Sequence, residues 1–168
     1  FKIDAKTVGP KLSLKNNLIE LESIESSISL KSIINSEFSI SNMDISTKSV
    51  EIKKVISFIR QINKNTKLLI LENFIKKGFL IADIKIEFDK KGNIKNNYNV
   101  KGFVKDTKID FLKKHKLDSI NFIFNINKNE SKFEKINLSY NKLDLFFKKL
   151  LVKNHDNSKV ETALISNL

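Results

Sequence analysis

Two histidines, His115 in "FLKKHKLD" and His155 in "VKNHDNSK", are the side chains best suited to hold a metal or move a proton, and the chain has no cysteine. A zinc-type site needs further His, Cys or acidic ligands at short fixed spacing, and neither histidine has them, so both read as surface residues. No Ser stands in a nucleophile elbow, and no glycine-rich run could cradle a phosphate. The densest acidic group, Glu20, Glu22 and Glu25, fits the solvated edge of a strand. Two Asn-x-Ser acceptors, at Asn129 and Asn137, are expected by chance in a chain this rich in Asn and Ser. The 13 Phe could stack on bases, yet Phe88, Phe122, Phe124 and Phe147 share parity with Ile and Leu, which points to core or groove lining. The expectation is therefore a protein without enzymatic activity, metal or cofactor.

The elements that would position any site are mostly strands. In "FLIADIKIEFDKKGN", Leu80, Ala82, Ile84, Ile86 and Phe88 fall on one parity, and Asp83, Lys85, Glu87 and Asp89 on the other. Side chains alternate across a strand, so residues 79–89 read as a long half-buried strand. The Asp89–Asn93 connection contains Gly92 and turns the chain into a partner strand with Tyr98, Val100 and Val104 on the same face, an antiparallel hairpin. Further strands follow at Ile120–Ile126 and Ile136–Tyr140, separated by the "NKNE" turn, and then over Leu143–Val152; "DFLKKHK" reads as a helical turn or loop and residues 154–159 as a loop before a last apolar piece.

The first third alternates in short bursts, at Ile3 and Ala5, Leu12 and Leu14, Ile19 and Leu21, Ile28 and Leu30, Phe38 and Ile40, and Val50 and Ile52. From Lys53 the period changes: Val55, Ile56, Ile59 and Ile62 form a helical stripe, and a second helix is expected over Lys67–Lys77 with Gly78 as its closing residue, although "KLLILENFI" also fits a strand. The expected fold is mainly β, a long antiparallel meander, curved or groove-like, interrupted by one or two short helices at about residues 53–77. The chain divides into a first strand run (1–52), a helical insert (53–78) and a second strand run (79–168), together one continuous segment of a larger protein.

Net charge is +12, which invites an anionic partner. The basic residues are almost all Lys, with Arg60 the single Arg, whereas bidentate reading of phosphates and bases belongs to Arg. Lys, Asn and Ile share AT-rich codons, so the excess is read first as a habit of composition, and a basic nucleic-acid-binding module, with Lys and Phe converging on one surface, stays as an alternative function. The longest apolar runs, such as Leu68–Leu71, are far too short to span a bilayer as a helix.

The succession "PKLSLKNNLIELESIESSISLKS", then "EIKKVISFIRQI", then "GFLIADIKIEFDKKGNIKNNYNVKGFVKDTKIDFL" resembles the AsmA-like proteins of Gram-negative envelopes. The resemblance covers roughly residues 8–150 and rests on strand rhythm and phrases such as "VKGFVKD". It implies a periplasmic segment tethered to the inner membrane by a part of the protein outside this fragment. It also implies a β-sheet groove that carries phospholipid towards the outer membrane, in company with other envelope proteins. The lining it implies is Ile84, Ile86, Phe88, Val100, Phe122, Phe124 and Leu138. Without the resemblance, the alternation favours the same face packed against a second sheet or the helical insert, as the closed core of a structural or interaction domain; with it, groove and closed core stand equal.

Overall fold

Period-two alternation drives most of the chain into strands. The computed structural model describes residues 2–15, 17–62, 66–111, 115–154 and 160–165, and among them eleven strands form one antiparallel sheet. In chain order these are β1 (Lys2–Val8), β2 (Lys11–Leu14), β3 (Asn17–Ser29), β4 (Ile40–Thr47), β5 (Val50–Glu51), β6 (Ile75–Glu87), β7 (Asn99–Phe111), β8 (His115–Asn127), β9 (Glu130–Tyr140), β10 (Leu143–Asn154) and β11 (Val160–Ile165). Three short helices, α1 (Leu30–Ile34), α2 (Ile52–Ile62) and α3 (Thr66–Phe74), interrupt the run. The sheet order is β1-β3-β4-β6-β7-β8-β9-β10-β11, with β2 also on β3 and β5 on β6. It is an open meander and does not close into a barrel.

The two short strands are continuations of their neighbours. Val8 faces Ser23 and Lys11 faces Glu20, so β1 and β2 form one edge interrupted at Gly9, which takes φ 66° while its N–H still donates to the Glu22 carbonyl at 2.8 Å. Likewise β4 and β5 both lie on β6, and the hydroxyl of Thr47 accepts the Ala82 N–H at 2.8 Å where the ladder breaks between them.

The mainly β meander is as the alternation indicates, with corrections at particular places. The helix expected over 67–77 stops at Phe74, and Ile75–Gly78 open β6 instead, with Ile75 opposite Ile109 and Lys77 opposite Lys108. Pairing with β7 outweighs one more helical turn. Gly78 is thus a strand glycine at φ 149°, and a Cβ there would press on the Thr107 side chain and come within 2.9 Å of Ile52 Cδ1. Leu30, expected at the end of a strand, begins α1, because the Ser29 hydroxyl caps the turn by accepting the Ser32 N–H. Tyr98 precedes β7 rather than lying in it. In "DFLKKHK", Asp110 and Phe111 belong to β7 and His115 and Lys116 to β8; residues 112–114 lie outside the described residues, as do 155–159 with His155.

The turns are formed by Asn and Asp. Asp89 accepts the N–H groups of Lys91 and Asn93 at 2.8 and 2.9 Å and the Asn93 side chain at 3.0 Å; the Asn93 side-chain bond foremost, then its backbone bond, holds the Asp89 carboxyl below its ordinary pKa. Asn127 accepts from Asn129 and Glu130 in the "NKNE" turn. Asn141 and Lys142, both at positive φ, make the two-residue loop joining β9 to β10, the form whose twist suits a hairpin.

Gly102 sits where β6 and β7 approach most closely, opposite Ala82. A Cβ there would collide with the Ile81 carbonyl oxygen and lie 2.9 Å from Ala82 Cα. Urea denaturation of Gly102→Ala should therefore show a loss of about 1–3 kcal/mol, the usual cost of overpacking against immovable backbone. A variant as stable as the wild type would mean that the strands can separate here.

Candidate apolar face

Residues paired across an antiparallel ladder point to the same side, so the register assigns each side chain to a face. One face carries the rows Ile45–Ile84–Val100–Ile126, Val50–Leu80–Val104–Phe122 and Ala82–Gly102–Phe124–Phe133–Leu150, with Met43 beside Ile86. Phe88 follows Ile86 at strand spacing, bridges to Ile94 and places its ring 5.4 Å from that of Phe38.

Carrying this face across β7, β8 and β9 requires bulges. Asp106, Ser119 and Lys135, none of them glycine, adopt left-handed φ of 51–53° in the middle of these strands, and the register slips beside each. Two of the three share a local device. In "SIN" and "KIN" the left-handed residue is followed by Ile and Asn, and the side-chain amides of Asn121 and Asn137 donate back to the carbonyls of Ser119 and Lys135. Asn121 also accepts the Asp106 N–H at 2.9 Å, tying the β7 bulge to the β8 bulge. Beyond the bulges Ile136 and Leu138 return to the apolar face, opposite Phe147 and Leu145 of β10. All seven residues expected to line a groove, Ile84, Ile86, Phe88, Val100, Phe122, Phe124 and Leu138, therefore occupy one face.

The cover on that face is uneven. The amphipathic α2 lies over the β3–β5–β6 end, where Val55 and Phe58 pack on Ile19, Leu21, Val50 and Leu80, and Ile56 is buried. Asn17 on β3 donates to the Ser57 hydroxyl at 3.0 Å, and Ile52 reaches the cluster of Ala82, Val104 and Phe124. The main packing of the helices is on β3, β5, β6 and β7. Towards β9 and β10 the apolar residues Phe133, Ile136, Leu138, Leu145, Phe147 and Leu150 are only half-buried. Phe124 marks the boundary: it is 6% exposed, enclosed by its own sheet through the edge-on contact with Phe122, whose ring in turn meets Phe133 at 5.7 Å.

The opposite face is wet and charged. Ion pairs cross neighbouring strands from Lys6 to Glu25, Lys85 to Asp44, Lys101 to Asp83 and Lys108 to Asp118. The hydrogen bond and charge of Asp118 hold the Lys108 ammonium above its ordinary pKa. Glu20 pairs with Lys11 and Lys48, and Glu25 with Lys6, so two of the three acids expected at a strand edge are cross-strand partners on β3, which lies inside the sheet.

Compared with family models, with curated proteins and with solved structures, the chain matches none. Its reading rests on its own residues.

Two features escape the alternation. Phe79, Ile81, Phe103 and Ile123 point to the polar side; Ile81, Phe103 and Ile123 form one row across β6, β7 and β8, and Phe103 and Ile123 stay 40% and 43% exposed. A depression of about 360 Å³ beside them is lined by Phe79, Ile81, Phe103 and Lys105. The second feature is His115, whose Nδ1 lies 2.6 Å from the Tyr140 hydroxyl with the rings stacked. Residues 25 apart meet there because β8 and β9 are neighbours, which spacing alone could not reveal. Among the described residues no three metal-ligating side chains come together, and no helix is long and apolar enough to cross a membrane.

The uneven cover has a measurable consequence. Phe124→Ala should cost about 3–5 kcal/mol in urea denaturation, as for a filled core position, whereas Leu138→Ala should cost about 1 kcal/mol because part of its side chain is already wet. Equal losses at the two positions would mean that the face is closed throughout.

Proposed function

We propose that this chain is a non-enzymatic segment of an AsmA-like envelope protein whose apolar sheet face carries the acyl chains of phospholipid. On this reading it works in the periplasm, tethered to the inner membrane through a part of the protein beyond this segment, as a conduit or scaffold between the two membranes. The observation that supports it most is the half-buried apolar surface formed by Phe122 and Ile126 of β8 with the apolar residues of β9 and β10, continuous with the covered core under α2. Soluble proteins keep contiguous apolar surface of this kind for a partner or ligand.

An acyl chain suits such a surface physically. Each methylene removed from water contributes about 0.8 kcal/mol without a directional requirement, so a lipid could slide along a lining of Ile, Leu and Phe. The charged outer face keeps the strands wet on their other side. The covered end under α2 favours a second reading locally, that of an ordinary packed core. The two readings divide the molecule between them, with α2 anchoring the fold and β8–β10 offering the lining.

The test uses a phospholipid with a photoreactive group in its acyl chain. Crosslinks should fall on β8–β10 and disappear in Leu138→Asp, while the far-ultraviolet circular dichroism of that variant stays that of a folded sheet, because the carboxylate can reach water. Unfolding of Leu138→Asp would assign these strands to a closed core, since a buried unpaired charge is not tolerated. Crosslinks mapping to the charged face would also reject the lining.

A further inference from the structure

Helix α3, "TKLLILENF", is apolar on every side, yet none of its residues is buried. A helix hydrophobic all round normally sits inside a protein or in lipid. Here Leu69, Ile70 and Leu71 are 41%, 48% and 41% exposed, and Ile59 on the neighbouring α2 is exposed as well. Successive residues on a helix are about 100° apart, so the three sweep most of its circumference. The helix is held at two points: Glu72 is paired with Arg60 of α2, and the Phe74 ring lies 4.6 Å from that of Phe111 on β7. Its exposed apolar side chains are therefore presented by a fixed support.

The charges of the helical insert are mostly basic. Between residues 52 and 77 the described basic side chains are Lys53, Lys54, Arg60, Lys67, Lys76 and Lys77; Lys54 pairs with Glu51 just before this span, and Arg60 with Glu72, the one acid described within it. A bulky apolar tip flanked by ammonium groups matches the interface of a bilayer with anionic headgroups: the side chains enter the boundary layer and the lysines meet phosphate. We propose that α3 is a membrane-contact element that inserts Leu69, Ile70 and Leu71 into the interfacial layer of an anionic bilayer. This inference does not depend on the lipid-conduit reading, since it concerns a different surface and needs no lipid on the sheet.

The chain contains no Trp, so Ile70→Trp introduces a single fluorophore at the tip. With vesicles of mixed phosphatidylglycerol and phosphatidylcholine its emission should move to shorter wavelength and be quenched by brominated acyl chains, whereas a Trp on the charged face, Lys101→Trp, should respond to neither. In vesicle flotation the wild type should bind these vesicles, bind pure phosphatidylcholine weakly, and lose binding as salt screens the charges. The triple variant Leu69→Ser, Ile70→Ser, Leu71→Ser should bind roughly tenfold or more weakly, as expected when three large apolar groups no longer leave water. Vesicle binding unchanged in the triple variant, no binding by the wild type, or an Ile70→Trp shift that follows protein concentration instead of vesicles would each overturn the proposal. The last outcome would make the tip a contact between copies of the chain. Should the triple variant fail to fold, the Ile70→Trp quenching alone decides.

Discussion

Every strand of an open meander must keep its side chains in step with both neighbours, and the rest of this structure depends on that constraint. A slip of one residue anywhere would send a strand's Ile and Phe to the wet side and its Lys to the apolar side. Here the step is kept by inserting residues rather than by avoiding slips. Left-handed φ at non-glycine positions costs about 1–2 kcal/mol each, and Asp106, Ser119 and Lys135 all adopt it. Side-chain amides two residues downstream bond back at two of these positions, and Asn121 serves the bulges on both β7 and β8. The strain is offset by side-chain hydrogen bonds to backbone groups that the interrupted ladder leaves unpaired, and Phe124 beside the bulged strands is enclosed by the sheet and by Ile52 of α2.

The same constraint explains how much of the fold could be read from residue order. Where a strand alternates without interruption, as from Leu80 to Ile86 or Ile120 to Ile126, parity alone assigns faces, and it places Ile84 with Ile86 and Phe122 with Phe124. The turns were equally legible, because Asp89 and Asn127 bond to backbone within a few residues of themselves. What parity could not reveal is any event that flips it. The "SIN" and "KIN" bulges contain no glycine, so nothing local marks them. The end of α3 was illegible for another reason: Ile75–Gly78 suit a helix or a strand alone, and only pairing with β7, some thirty residues later, decides. His115 and Tyr140 meet through the same kind of non-local pairing.

Charge and shape divide the labour between the two faces. Exposed cross-strand ion pairs each contribute only about 0–1 kcal/mol, so the pairs of Lys6, Lys85, Lys101 and Lys108 do little to hold the sheet together. Their value is in what they exclude. A slipped register would set like charges opposite one another on one face while exposing aliphatic rows on the other, and both penalties act in the same direction. Specificity of register thus comes from many weak polar contacts, and stability from the fewer buried residues under α2.

This separation bears on how an open apolar surface can exist at all. A sheet with one face wholly uncovered would lose the burial that opposes chain entropy, and a sheet wholly covered would have no surface to offer. The chain avoids both by concentrating its closed core at one side, where Leu21, Val50, Ile56 and Ala82 are nearly removed from water, and leaving Leu138, Leu145 and Phe147 partly wet at the other. Because the sheet is hydrogen-bonded without a break from β3 to β10, the stability gained under α2 is transmitted along the ladder to strands that have little cover of their own. The helical insert therefore has two distinct surfaces with opposite tasks. The inner stripe of α2 closes the core, and α3, attached through the Arg60–Glu72 pair and the Phe74–Phe111 contact, faces outward with its apolar residues unspent. A helix that served only to cover the sheet would have turned those residues inward.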